Sequence, residues 1–337
     1  MSPDDPVLAV IYCDYGAPDV LKLERVEKPV PADDQLLVKV HAAAANPLDW
    51  HYIRGTPYFI RIESGLRKPR ELRIGVDFAG TVESVGRSVT RFKSGDAIFG
   101  ARTGAFAEYV TVREQGAIAK IPANLDFEQA AGINVAGVTA LQGLRRAKAG
   151  PGTRLLINGA SGGVGTFAVQ IAKAMGAHVT GVSSTRNVEL VQSLGADDVI
   201  DYKQSDYTKG GRKFDAILDN VGNHGFLANR RALTANGVYV LIGGGGPADG
   251  KWIRPLVSFV KGPVLRPFIS QDMSVYLTSL NAEDLQTLAG LIQQRKITPV
   301  IDRRYRLEDT AEAIRYLETG RARGKVVILM GAPDTAS

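Results

Sequence analysis

The sequence predicts an α/β protein in which a β-rich, barrel-like unit precedes a doubly wound parallel sheet. Three observations carry this. Short β-rich runs separated by glycine turns fill roughly the first hundred residues. From Asp126 onward, apolar strands alternate with helix-compatible stretches, as when a parallel sheet is joined by crossover helices. Where the first of those strands ends, three glycines stand three positions apart in INGASGGVGTF, Ile157 to Phe167.

In the first part, QLLVKVHAAAAN (35–46), GVDFAGTVESVG (75–86), DAIFG (96–100) and AFAEYVTV (105–112) read as strands. FEQAAGINVAGVTALQGLRRAKAG (127–150) is alanine-rich and helical in character. The alternation then runs RLLING (154–159), TFAVQIAKAMG (166–176), HVTGVSS (178–184), NVELVQSLG (187–195), DDVIDY (197–202), KFDAILDNVG (213–222), FLANRRALTANG (226–237) and VYVLIGGG (238–245). Pro255, Pro263 and Pro267 prevent 252–269 from forming one straight helix, although its apolar side chains suit a pocket or a subunit contact. LNAEDLQTLAGLIQQRKI (280–297) has amphipathic spacing, with Asn281 as cap and Glu283 and Asp284 in the first turn. EDTAEAIRYLETGRARGKVVILM (308–330) supplies a last helix and strand, and pattern alone leaves open which unit that strand joins.

The chain has 337 residues, enough for about two domains, with 45% hydrophobic and 23% charged residues. No apolar run reaches the ~18 residues of a membrane helix. The opening MSPDDPVLAV sets acids and prolines where a secretory signal carries positive charge, so a cytoplasmic protein without integral membrane association is expected. A single cysteine, Cys13, permits neither an internal disulfide nor a multi-cysteine zinc site. His41, His51, His178 and His224 lack the i, i+4 spacing of a helical ligand pair. The net charge of +6 is spread through the chain, which argues against nucleic acid as partner.

Gly159, Gly162 and Gly165 follow a strand and precede a helix, the setting in which a tight turn delivers backbone N–H groups to a pyrophosphate at a helix N-terminus. Ser161, Gly163 and Val164 complete the turn. Ala160 replaces the middle glycine of the stricter GxGxxG pattern, and no lysine followed by Ser/Thr is present to hold a nucleoside triphosphate. A dinucleotide is the expected ligand. After the second strand stand Ser183, Ser184, Thr185 and Arg186, where a carboxylate would favour NAD. Hydroxyls and a guanidinium suit a 2′-phosphate, so NADP(H) is the expected cofactor. Tyr202, closing DDVIDY, is placed to pack on the adenine end or to donate to that phosphate, or else simply packs in its strand.

With these residues in hand, the sequence resembles the medium-chain dehydrogenase/reductase superfamily, and within it the zinc-free quinone oxidoreductase-like branch. The resemblance rests on NPLDWHYIRG (46–55), GVDFAGTVESVG (75–86), GDAIFG (95–100), GAFAEY (104–109), NVAGVTALQGL (134–144) and INGASGGVGTFAVQIAKAMGAHV (157–179). It implies a GroES-like β domain over 1–126, a Rossmann NADP(H)-binding domain over 127–299, and a segment, 300–337, that returns to the GroES-like domain. It also implies an active site in the cleft between them. Zinc-dependent members draw their catalytic metal from a cysteine near the first motif and a histidine in a GHE motif. Here HAAAANPLDW has no cysteine, and Val76 and Asp77 stand where His and Glu are expected, so no metal is expected.

Without a Lewis acid, a quinone or an α,β-unsaturated carbonyl accepts hydride more readily than a simple ketone, because conjugation spreads the incoming charge onto oxygen. The resemblance sets Asn46, Asp49 and Tyr52 beside the nicotinamide. Tyr52 is the first candidate donor to the substrate oxygen. Asn46 would orient a ribose or carbonyl, Asp49 would anchor the loop, and His51 is an alternative acid. Thr139, Asn220, Gly222 and Gly243 are expected against the cofactor. The expected function is NADPH-dependent quinone or enone reduction. Its alternatives are a 2-alkenal, 2-enone or enoyl-thioester reductase and a non-catalytic NADPH-binding protein. A homodimer is expected, with VYVLIG (238–243) and the proline-rich segment as interface material.

Overall fold

The computed structural model describes residues 5–242 and 270–331. Gly243 to Gly245, the proline-rich segment 252–269 and the end of VYVLIG therefore lie outside the described residues. The chain divides into two compact units: residues 1–135, 280–294 and 299–337 form the first, and 136–279 with 295–298 form the second.

In the first unit the chain runs through β1 (Val7–Ile11), β2 (Lys22–Val26), β3 (Gln35–Ala45), α1 (Pro47–Arg54), α2 (Ile60–Ser64), β4 (Asp77–Val85), β5 (Ala97–Ala101), β6 (Tyr109–Arg113), β7 (Ile118–Lys120) and α3 (Phe127–Ala131). β1 and β2 pair antiparallel as a separate ribbon. β3 is long enough to pair with β4 on one side and with both β6 and the last strand, β15 (Lys325–Leu329), on the other, and it sends side chains into two cores. Leu36, Val38 and Val40 join Phe78, Val82 and Ile98 in one. Ala43 and Ala45 join Trp50, Ile53, Val326 and Ile328 in the other. The alanine run of β3 thus leaves room for the Trp50 and Ile53 side chains of α1.

The second unit holds most of α4 (Asn134–Arg146), then β8 (Arg154–Asn158), α5 (Gly163–Ala174), β9 (His178–Ser183), α6 (Val188–Ser193), β10 (Asp198–Asp201), β11 (Phe214–Asp219), α7 (Phe226–Ala232), β12 (Leu233–Leu241) and β13 (Asp272–Val275). All strands are parallel, in the order β10-β9-β8-β11-β12-β13. That is the doubly wound dinucleotide-binding order, which reverses direction at β8 and so opens a crevice beyond its carboxyl end. The chain returns to the first unit with α8 (Ala282–Gln293), β14 (Ile301–Arg306), α9 (Thr310–Glu318) and β15 (Lys325–Leu329).

Several differences from the sequence reading have local causes. The 127–150 helix is two helices, because the chain turns at Gly132, where the amide bonds back to the carbonyls of Glu128 and Gln129. Only the first half of 226–237 is helical, since Leu233 already pairs with Phe214 across β11 and β12. α8 groups with the first unit, whereas the resemblance implies a Rossmann domain that runs to 299. Asn124 donates to its Ile292 carbonyl at 2.9 Å. The last strand, left open by pattern, pairs antiparallel with β3. VYVLIG is not a sheet edge, because β12 is hydrogen-bonded to β11 on one side and β13 on the other. Among the described residues, β13 is the last strand of the sheet on that side.

Candidate active site

In the second unit, β8 ends at Asn158 and the chain turns sharply through Gly159 (φ +77°), a conformation that a side chain resists. The turn closes so tightly that a Cβ on Gly165 would lie 2.1 Å from the Gly159 carbonyl oxygen. Gly162 caps α5, and the first N–H groups of a helix have no partner within it. Gly163, Val164 and Gly165 form that first turn, so an anion would meet open donors and the positive end of a twelve-residue helix. Ser161 is tied to the next strand's loop, accepting at Oγ from Asn187 Nδ2 at 2.9 Å.

At the ends of β9 and β10 the structure gathers the residues proposed for the adenosine end. Tyr202 N donates to the Ser183 carbonyl at 3.0 Å. Ser184 caps a short 3-10 turn that carries Thr185 and Arg186, both exposed, while the Tyr202 side chain is 55% exposed. Sequence reasoning missed Asp201, which accepts from Thr185 Oγ1 at 2.6 Å and thereby places a carboxylate among these groups. The Thr185 hydroxyl holds the Asp201 carboxyl below the usual range.

Beyond β11 lies a second group that was not anticipated. Asp219 is fully buried, and its Oδ1 accepts from Asn158 Nδ2 (2.8 Å), Val221 N (3.0 Å) and Gly222 N (2.9 Å) while Oδ2 accepts from Tyr239 Oη (2.8 Å). This arrangement fastens the loop bearing Asn220 and Gly222 (φ +69°) to the strand that leads into the glycine turn. Asn220 donates to the Asn158 carbonyl at 3.0 Å, and its buried Oδ1 has no partner among the described residues. An acid ending an otherwise apolar strand, as in DAILDN, was the available signal. Thr139 Oγ1 shares a hydrogen bond with Thr278 Oγ1 at 2.8 Å, and its carbonyl accepts from Tyr276 Oη at 2.5 Å.

In the first unit, Asn46 precedes α1 and Pro47 starts it, fixing the helical φ where an N–H is not needed. Asn46 N donates to Asp49 Oδ2 at 2.7 Å. Asp49 is fully buried, its Oδ1 without a partner among the described residues, and burial pushes its carboxyl from an ordinary 3.8 up to about 8. Both ends of the Asn46 amide are engaged by protein: Nδ2 donates to Asp77 Oδ2 (3.0 Å) and the Ala44 carbonyl (3.1 Å), and Oδ1 accepts from Lys325 Nζ (2.5 Å). Asp77, also fully buried, accepts from Val135 N at 3.1 Å.

His51 and Tyr52 stand on the same helix in different states. His51 Nδ1 lies 2.7 Å from the Thr56 carbonyl, which can only accept, so Nδ1 carries the hydrogen. Burial lowers the His51 pKa, leaving the ring neutral near pH 7 with Nε2 a bare acceptor. Tyr52 is half-buried against the Trp50 and Ile53 core, and its hydroxyl has no hydrogen-bond partner among the described residues. Burial raises the Tyr52 pKa, keeping the hydroxyl protonated.

Among the described residues no group of three His, Cys, Asp or Glu side chains could hold a metal ion, and no helix is long and apolar enough to cross a membrane. The alcohol dehydrogenase GroES-like domain pattern matches residues 32–123, and the zinc-binding dehydrogenase pattern matches 194–328. The chain is 36% identical over 332 residues to 2-methylene-furan-3-one reductase of Solanum lycopersicum, covering 94% of this chain and 77% of that protein. It is 33% identical to the quinone oxidoreductase of Sus scrofa, covering 94% and 95%. Its fold superposes on the Escherichia coli quinone oxidoreductase complexed with NADPH with a TM-score of 0.82 at 25% identity, over 96% of this chain and all of that one.

Proposed function

The chain belongs to the medium-chain dehydrogenase/reductase superfamily, in its quinone-oxidoreductase-like branch, and on that footing we propose that it uses NADPH to reduce a quinone or a conjugated enone. At the coarser level it is an NAD(P)H-dependent oxidoreductase of the quinone- and enone-reducing branch. The observation that carries the proposal is the turn from Gly159 to Gly165, whose close approach leaves the start of α5 bare for a pyrophosphate.

The residues present fit a nicotinamide dinucleotide. The turn and the first N–H groups of α5 would hold its phosphates, and Ser183, Ser184, Thr185, Arg186 and Tyr202 its adenosine end. Thr139 would lie near the nicotinamide, while Asn220, whose Oδ1 has no partner among the described residues, and Gly222 would approach the cofactor closely, as would Gly243, which lies outside the described residues. When bound, the reduced nicotinamide supplies hydride to the electrophilic carbon of the substrate. The substrate oxygen then gains negative charge and needs a donor. Tyr52 supplies that donor, because its hydroxyl is protonated and has no hydrogen-bond partner among the described residues, whereas neutral His51 has already given its N–H to Thr56. Asn46 and Asp49 serve by shaping the start of α1.

Arg186 favours NADPH through its positive charge, and Asp201 favours NADH because a carboxylate repels a 2′-phosphate. The guanidinium outweighs the carboxylate, since charge-assisted hydrogen bonds to phosphate are the strong ones. A cytoplasmic homodimer completes the proposal, paired along β13, the last strand of the sheet on that side among the described residues.

The test is NADPH consumption by chelator-treated protein against a benzoquinone, a phenanthrenequinone, a 2-alkenal, a cyclic enone and a simple ketone, with products identified. Reduction of a quinone or of a C=C bond with the ketone untouched is expected. NADPH binding without turnover of any of the five would replace this reading with a non-catalytic one.

A further inference from the structure

Lys325 is the one cationic side chain buried among the described residues, at 2% exposure. It opens β15, whose other residues are apolar, and its side chain runs beside Gly132, where a Cβ would meet Lys325 Cγ at an ordinary 3.4 Å. Its Nζ donates to Asn46 Oδ1 at 2.5 Å and to Asp77 Oδ2 at 3.3 Å. Burying an ammonium costs hydration, and apolar residues of similar volume often serve stability equally well or better. Stability alone therefore gives no reason for a lysine here.

The chemistry of the three groups supplies a reason. An ammonium only donates and a carboxylate only accepts, so the Asn46 amide has one orientation, with Oδ1 on Lys325 and Nδ2 on Asp77. The ends of β3, β4 and β15 are thereby pinned at one point. From that point Asn46 N reaches Asp49 and sets the first turn of α1. Tyr52 lies six residues beyond Asn46 on this short helix, so a change in the entry of the helix redirects its hydroxyl.

We propose that Lys325 is a positioning residue for the reduction: through Asn46 and Asp77 it fixes the entry of α1 and so the aim of Tyr52. This rests on the reading of Tyr52 as the donor to the substrate oxygen. It assigns Lys325 no contact with substrate or cofactor.

The experiment is a double-mutant cycle, with kcat, KM and NADPH affinity measured for Lys325→Met, Asn46→Ala and Tyr52→Phe singly, and for the first two combined with Tyr52→Phe. Asn46→Ala keeps the Lys325–Asp77 pair, so the test survives if Lys325→Met does not fold. Each of these two is expected to lower kcat about tenfold with NADPH affinity within about twofold of wild type, and to cost nothing further once Tyr52 is Phe. Lys325→Arg, which keeps the charge and the donors, should recover part of the loss. Losses that simply add to that of Tyr52→Phe, an unchanged kcat, or a parallel loss of NADPH affinity would each overturn the proposal. If Tyr52→Phe alone leaves kcat unchanged, the donor assignment fails instead, and the cycle separates the two failures.

Discussion

At the residue scale, two groups make quantitative demands. Arg186 is proposed to meet the 2′-phosphate of NADPH, and a charged hydrogen bond of that kind contributes about 1.5–3 kcal/mol. Arg186→Ala should therefore weaken NADPH roughly 10- to 100-fold while NADH changes little, as fluorescence titration with both cofactors would show. Equal losses would remove the phosphate role. Asp49 makes a demand on stability. Its carboxyl holds a proton in the folded protein up to about pH 8, whereas an unfolded aspartate releases it near 3.8. The folded state thus binds the extra proton between those values, and its stability falls with rising pH by up to about 1.4 kcal/mol per pH unit. Asp49→Asn keeps an oxygen for the Asn46 N–H but cannot ionise. Urea unfolding at pH 5 and pH 8 should show the wild type losing more stability than the variant, and parallel losses would mean that Asp49 is ionised throughout.

At the element scale, the strand–turn–helix from β8 to α5 depends on two glycines for different reasons. A Cβ on Gly165 would lie 2.1 Å from the Gly159 carbonyl oxygen and 2.7 Å from the Ala160 carbonyl carbon, both backbone atoms that cannot rotate away. Gly162 would meet that same oxygen at 3.6 Å, an ordinary contact, and its φ of −82° suits any residue. Gly165→Ala should therefore lower stability by about 1–3 kcal/mol and abolish NADPH binding, whereas Gly162→Ala should leave the melting temperature nearly unchanged. Any loss of NADPH affinity in Gly162→Ala then reports ligand crowding. Thermal melts with cofactor titration separate the two, and equal destabilisation would contradict this account of the turn.

At the scale of the whole molecule, a cofactor that binds only the folded chain stabilises it by mass action. NADPH at a hundred times its Kd should add about 2.7 kcal/mol and raise the melting temperature by about 5 °C. Dialysis against a strong chelator should leave that temperature unchanged, because Val76 and Asp77 offer no histidine where zinc-dependent relatives place one. A fall after chelation would reveal a structural metal. The sequence by itself determined the order of the units, the parallel sheet and its glycine turn, since alternating hydrophobicity and a strand–glycine–helix series are local properties that survive in one dimension. It also determined that Ser183, Thr185, Arg186 and Tyr202 are candidates, because they fall at the ends of legible strands. Only the tertiary structure decided that β12 is covered by β13, that α8 packs on the first unit, and that Asp201 stands beside Thr185. It alone brought Lys325 to Asn46 across 279 positions of chain, and Tyr239 to Asp219. A buried charge looks like a surface one in a sequence. What distinguishes it is the partner that satisfies it, and folding alone supplies that partner.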